Sequence, residues 1–248
     1  MKIQFFDTFI NIKDSDEYFT AILRSLQSDE RTKVFHYLNS HSFHTINTEP
    51  GFKDTFNSAD YIIADGKSVV WAVKLLTGKN IKKVVFTYFF EEFLARYIEK
   101  QQIRVYFLGT TEENLQTAVA NVRKQYPKIQ IVGWNNGYFD RSKSFEIIAD
   151  INNSRANILI VGMGIPTSEF WINENRDRLM VKCIFSVGGF FEFIAGNAKL
   201  APKWIYESGV EWVFRIIQEP RRLWRRYLNA NYYFISTILK KIIKNGSR

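Results

Sequence analysis

A single cysteine in 248 residues, Cys183, rules out an internal disulfide. Its place in the apolar run from Val181 to Val187 reads as a buried strand residue in a reducing setting. Three histidines, His36, His41 and His44, lie close together without cysteine partners or regular ligand spacing, and read as strand and loop residues rather than metal ligands. Asp14-Ser15-Asp16 reads as a helix cap, so no metal site is expected. No stretch approaches the roughly 18 unbroken apolar residues of a spanning helix. The start, Met1 to Asp7, lacks the long apolar core of a signal peptide. Walker A and H-E-x-x-H are absent, as are internal repeats and low-complexity segments. If this chain meets a membrane, it is expected to do so from outside the bilayer.

Acids are scarcest at the C-terminal end. From Arg215 to Arg248 nine Lys or Arg face one acid, Glu219, a net +8 of the chain's formal +9. Pro220 suits the first turn of a helix, where its missing donor costs nothing. In that helix Arg221 with Arg225, and Arg222 with Arg226, form two basic ridges. Leu223, Trp224, Tyr227, Leu228, Ile235, Ile238, Leu239 and Ile242 give it apolar surface. Such a helix packs one face on the body, lies among anionic lipid headgroups, or binds nucleic acid phosphates and bases.

Upstream, short apolar runs alternate with amphipathic segments, the pattern of βα units. Strands are expected at His41–Ile46, Tyr61–Ala64, Arg104–Leu108, Ile129–Gly133, Ile158–Val161 and Lys182–Val187. Helices are expected at Ser15–Leu26, Lys67–Leu76, 91–100, Glu112–Gln125, Ser144–Asn153 and Thr167–Asn175. The fold class is therefore α/β: a Rossmann-like, mainly parallel sheet flanked by helices, with a basic helical appendage. The core is set at residues 1–205 and the appendage at 206–248. The aromatic run from Val84 to Phe93 reads equally as core, as a dimer face in a homo-oligomer, or as a lipid-facing patch.

Ligands of open α/β sheets sit beyond the carboxyl ends of strands. Asp65 follows Tyr61–Ala64 and precedes Gly66, where a carboxylate can take a proton from an alcohol; an Asp-Gly pair is also an ordinary turn and cap. Thr45 and Asn47 alternate at the end of the expected strand His41–Ile46, pointing the same way in extended geometry, or are turn residues before Pro50. Gly162-Met163-Gly164-Ile165-Pro166 offers backbone amides to a phosphate or ribose, although it lacks the third glycine of the dinucleotide fingerprint.

Taken in order, Thr45-x-Asn47, Ala64-Asp65-Gly66, Val105 to Gly109, Gly137-Tyr138-Phe139, Val161 to Pro166, Val187-Gly188-Gly189, Ala201-Pro202-x-Trp204, Gly209 to Arg215 and Glu219 to Tyr227 resemble the WecG/TagA/CpsF glycosyltransferase family. The resemblance implies a metal-independent, cofactor-free, inverting enzyme that moves a sugar from a UDP-sugar to a polyprenyl-diphosphate-linked sugar. Its place would be the cytoplasmic face of the membrane, in common antigen, teichoic acid, capsule or exopolysaccharide assembly, with no nucleic acid partner. It implies Asp65 as general base with Thr45 and Asn47 beside it. Gly109, Gly162, Gly164, Pro166 and Gly188 would lie around the nucleotide-sugar, and Lys83, Arg215, Arg222 and Arg226 would face phosphate. The chain departs from the family pattern at Lys83, Phe86 and Tyr88, at Thr167 and Ser168, and at Glu192 and Leu200. Those departures imply a changed donor preference, or a catalytically silent member that serves as a membrane-associated binding partner in polysaccharide assembly.

Overall fold

The computed structural model describes residues 1–99 and 101–246; the side chains at 203, 207, 222 and 245 are outside the described set. An antiparallel hairpin, β1 (Lys2–Phe5) and β2 (Thr8–Asn11), leads into helix α1 (Ser15–Gln27). Asp14 caps α1 as the sequence suggests: its carboxylate accepts from Glu17 N at 3.1 Å, and Glu17 accepts from Asp14 N at 3.0 Å. Then come β3 (Lys33–Leu38), α2 (Ser40–Thr48), α3 (Phe52–Asn57), β4 (Tyr61–Ala64), α4 (Lys67–Thr77) and α5 (Phe86–Tyr97). The second half runs β5 (Arg104–Gly109), α6 (Glu112–Gln125), β6 (Gln130–Asn135), α7 (Ser144–Asn153), β7 (Ile158–Gly162), α8 (Thr167–Asn175), β8 (Cys183–Ser186) and α9 (Phe190–Ile194). Three helices close the chain: α10 (Lys203–Ser208), α11 (Glu211–Gln218) and α12 (Pro220–Gly246).

Strands β3 to β8 form one six-stranded sheet, order β4-β3-β8-β7-β5-β6, and every neighbouring pair is parallel. Parallel strands need crossovers, which cover both faces and demand apolar residues on both. Alternation then splits the core in two. Val34, Leu38, Ile62, Leu159, Val161 and Ile184 face α2, α3, α4, α7 and α8, whereas Phe35, Tyr37, Ile63, Ile160, Cys183 and Phe185 face α1, α5, α6 and α9. This is the expected α/β fold, with Cys183 buried in β8.

Three local readings differ. The interior strand β3 was not anticipated, and the segment read as strand His41–Ile46 is helix α2. Its aromatic and β-branched residues favour a strand, but Asn39 overrides them: Asn39 Oδ1 accepts from His41 N and Ser42 N, both at 3.0 Å, and Ser42 Oγ accepts from Asn39 N at 2.8 Å. With its first donors satisfied, the segment buries Ser42, Phe43 and Ile46 on one helical face. Helix α5 starts five residues earlier than expected, at Phe86, and the expected end at residue 100 lies outside the described residues. Of the three readings of Val84 to Phe93, core is the one realised, since Val84, Phe86, Phe89, Phe90 and Phe93 are buried within the chain.

Helix α12 lies along α2. Leu223, Ala230, Phe234 and Ile238 turn inward, Phe234 packs on Phe43 (5.1 Å between ring centres) and Phe5 (6.4 Å), and Ser40 Oγ donates to Asn231 Oδ1 at 2.6 Å. Pro220 occupies its first turn, as expected. Trp224, Leu228, Tyr232, Ile235, Leu239 and Ile243 recur every three or four residues on an exposed face. Phe234→Ala should cost about 3–5 kcal/mol in chemical denaturation; a loss below about 1 kcal/mol would show that α12 is not part of the folded core.

Candidate active site

All six strands end on one rim of the sheet, where each loop carries a piece of the site. Asp65 follows β4 directly, and its backbone N donates to Leu38 O at 2.8 Å, which aligns it with the end of β3. There Asn39 Nδ2 donates to Asp65 Oδ2 at 3.2 Å. Asn39 thus holds the start of α2 with its oxygen and the Asp65 carboxylate with its nitrogen. Two residues back, the Tyr37 hydroxyl is buried without a hydrogen-bond partner, beside Asp65, and unpartnered buried hydroxyls are uncommon enough to mark a site.

Burial pushes the Asp65 carboxyl up to about 6, and the charge of Glu211 adds to this; the Asn39 hydrogen bond and the Lys83 charge pull it down. The group keeps partial solvent access, as one that must meet a substrate requires.

Thr45 and Asn47 do not join it. Both lie in α2, two positions apart and so on different sides of the helix. Thr45 Oγ1 donates to His41 O at 3.0 Å, and Asn47 Nδ2 donates to Phe43 O at 2.7 Å from an exposed position. The polar residues at the end of β3 are instead Tyr37 and, just beyond it, Asn39.

On the other side of the sheet centre, Gly109 and Gly162 pair across β5 and β7. A Cβ on Gly109 would lie 2.4 Å from Gly162 O, and one on Gly162 would lie 2.6 Å from the Phe191 ring. The neighbouring backbone thus requires glycine at 109, and the Phe191 ring requires it at 162. Gly188, at the end of β8, has open space where a Cβ would point. In the loop between, Gly164 and Pro166 carry the turn into α8, and Ser168 Oγ accepts from Met163 N at 2.9 Å, so a departure from the family pattern serves here to hold the loop. Glu192 is held by Thr110, Asn114 and Asn197 at 3.2–3.3 Å. Leu200 is half-buried.

Helix α11 crosses the rim. Arg215 lies over the Phe193 ring at 4.4 Å, its Nη2 pairs with Glu219 at 2.8 Å, and a Cβ on Gly189 would lie 3.2 Å from that nitrogen. Its Nη1 is buried with no hydrogen-bond partner. One helical turn earlier, Glu211 pairs with Lys83 at 2.7 Å. Thus a single turn of α11, about 6 Å of rise, spans from Lys83 to the loop after β8. Arg226 lies near His41 and over the Tyr227 ring at 5.6 Å; the Arg222 side chain lies outside the described residues.

Among the described residues no three His, Cys, Asp or Glu come together as a ligand set, and no helix is long and apolar enough to cross a membrane. A cavity of about 510 Å³, lined by Asn135, Tyr138, Asp140, Lys143 and Asp150, lies off β6, the edge strand opposite β4, and contains neither Asp65 nor Arg215.

The site thus holds a carboxylate bonded by an amide at the end of β4 and, beside the loop after β8, a buried guanidinium nitrogen without a hydrogen-bond partner. The sequence model of the glycosyl transferase WecG/TagA/CpsF family matches residues 3–248. The chain belongs to this glycosyltransferase family. Similar proteins include the N-acetylglucosaminyldiphosphoundecaprenol N-acetyl-beta-D-mannosaminyltransferase of Bacillus spizizenii, 29% identical over 191 residues, covering 77% of this chain and 72% of the relative. The Bacillus subtilis protein of the same name is 29% identical over 189 residues, covering 76% and 72%.

Asn39→Ala should lower stability by about 1 kcal/mol through loss of the α2 cap. It should also raise the Asp65 pKa, because the lost bond favours the ionised carboxylate. Carbon-13 NMR titration of the Asp65 carboxyl checks this, and a fall in pKa would contradict the assigned hydrogen bond.

Proposed function

We propose that this family member transfers a sugar from a UDP-sugar to a polyprenyl-diphosphate-linked sugar, with Asp65 as general base and without a metal. The observation that carries the reading is the pairing, on one rim, of the Asn39-held Asp65 with the buried, bare Nη1 of Arg215. The relatives' names specify an acceptor of the diphosphoundecaprenol-linked type and a mannosaminyl group transferred. In this reading the acceptor hydroxyl gives its proton to the Asp65 carboxylate as its oxygen bonds to the anomeric carbon. The bond from that carbon to the diphosphate oxygen breaks on the opposite face, and the electron pair leaves with UDP, inverting the centre. A base with pKa near 6 is ionised at neutral pH yet basic enough to take the proton.

Negative charge grows on the diphosphate as it leaves. Arg215 offers it a preorganised donor, the service a metal performs in other enzymes. Gly188 leaves room beside that guanidinium, and Gly164 and Pro166 shape the neighbouring loop. Residues 206–248 act as an appendage that closes this side and rests on the cytoplasmic face of the membrane. Its exposed stripe from Trp224 to Ile243 flanks exposed Arg225, Arg226, Lys240 and Lys244, the composition of an interfacial helix.

The departures at Phe86 and Tyr88 serve packing in this reading, not the choice of donor. Phe86 packs on Phe90 and Phe190, and Tyr88 Oη donates to Ala201 O at 3.1 Å. These positions knit the core to the C-terminal segment, which leaves sugar selection to other groups on the rim.

The test is UDP release with a panel of UDP-sugars and a short polyprenyl-diphosphate-GlcNAc analogue. Asp65→Asn should reduce turnover at least about 10²-fold while UDP still binds by calorimetry; undiminished turnover removes Asp65 as base. Replacing Leu228 and Ile235 together by Asp should abolish co-sedimentation with phosphatidylglycerol vesicles without changing the melting temperature appreciably. Retained binding would refute the interfacial role of α12.

A further inference from the structure

Lys83 is the cation nearest in kind to a phosphate ligand, yet it is already engaged. Its side chain is 4% exposed, its Nζ donates to Glu211 Oε2 at 2.7 Å and to Tyr206 O at 2.8 Å, and it sits 3.3 Å from the centre of the Tyr206 ring. All of these partners come from α10 and α11. The ammonium that the sequence offers to a substrate phosphate is instead the point on which the C-terminal segment docks.

A buried ammonium needs an opposite charge, because leaving it alone in low dielectric is costly. Glu211 supplies that charge from the first turn of α11, where the helix dipole favours an acid. The pair also stands close to Asp65: Val84 N donates to Ala64 O at 3.0 Å, joining the residue after Lys83 to the residue before Asp65, and Asp65 feels both charges. Lys83 alone would stabilise the ionised carboxylate and make Asp65 a weaker base, and Glu211 opposes it.

We infer that Glu211 is a positioning residue of the active site: by pairing with Lys83 it fixes α11 across the rim and offsets the ammonium's field on Asp65. This rests on the transferase reading above for its catalytic meaning, though its physical content does not. In consequence the C-terminal segment contributes to the base itself, and a chain without it has a different Asp65. Other groups face this corner: the Tyr37 hydroxyl from β3, Asn39 at the start of α2, Lys67 at the start of α4, and Tyr88 from α5, whose ring packs edge-on to Tyr206 at 4.9 Å. Lys67 is the one basic side chain among these, and it stays in place in every variant below.

The sign of the effect can be fixed in advance. Removing the Glu211 charge lowers the Asp65 pKa, because a like charge is lost and Lys83 is no longer offset. Removing the Lys83 charge raises it. Glu211→Gln should therefore move the acid limb of kcat/KM to lower pH by on the order of one unit and lower the plateau. Lys83→Met should move the limb to higher pH, and the double variant should return close to wild type. A purely structural role for the pair predicts lower plateaus with the limb unmoved.

Asp65 itself can be read without substrate, by carbon-13 NMR titration of the four full-length proteins. Opposite shifts in the two single variants, with recovery in the double, are the expected result. Equal or same-direction shifts would overturn the inference. Should Glu211→Gln not fold with its unpaired ammonium, the comparison of Lys83→Met with the double variant decides, since Glu211→Gln must still lower the Asp65 pKa in that background. Failure of the transferase reading is a separate result, seen as no turnover by the wild type with any donor while Asp65 still titrates as described.

Discussion

Every strand of the main sheet points the same way, and most of the molecule follows from that constraint. Six parallel strands require crossovers, the crossovers bury both faces, and the carboxyl ends collect on a single rim. The one histidine in the sheet, His36, is matched to Ser186 at 2.8 Å. Burial holds that imidazole neutral, pushed down to about 3. Asp65, Asn39, Gly188 and Gly189 all follow strand ends on this one rim although far apart in the chain, and Asn39 bonds Asp65 directly.

The C-terminal segment is built into this rim and is not merely attached to it. Helix α12 contributes Phe234 and Ile238 to the core beside Phe43, on the helix whose cap, Asn39, also holds Asp65. Helix α11 sets Glu211 on Lys83 and Arg215 beside Gly189. One face of the segment is thus committed to the body, and the opposite face of α12 keeps a stripe of apolar residues in the open. The two faces answer the question left by composition alone, whether a basic helix packs or stays free: this one packs on one side only.

Much of the fold was legible. Helices α6, α7 and α8 span the ranges expected from the sequence, α6 with Thr111 capping its start, and strands β4, β5 and β7 stand out as apolar runs ended by Gly or Asp. Asp65 was legible for the same reason, a carboxylate at the end of such a run. Its partner was not. The segment His41–Ile46 reads as strand because Phe43, Thr45 and Ile46 are good strand formers, and only the reciprocal bonds between Asn39 and Ser42 reveal the helix start. An Asn three residues ahead of a Ser was the available signal.

The sequence alone determined the class of fold, the family, the position of one carboxylate at a strand end, and the concentration of positive charge in the last helix, because these depend on local periodicity and on residue types in order. Only the tertiary structure decided which groups meet. It moved the polar partner of Asp65 from Asn47 to Asn39, turned Gly109 and Gly162 into a packing requirement, and seated Lys83 against Glu211 across 128 residues of chain. Contacts at that separation depend on how whole layers pack, and no local pattern records them.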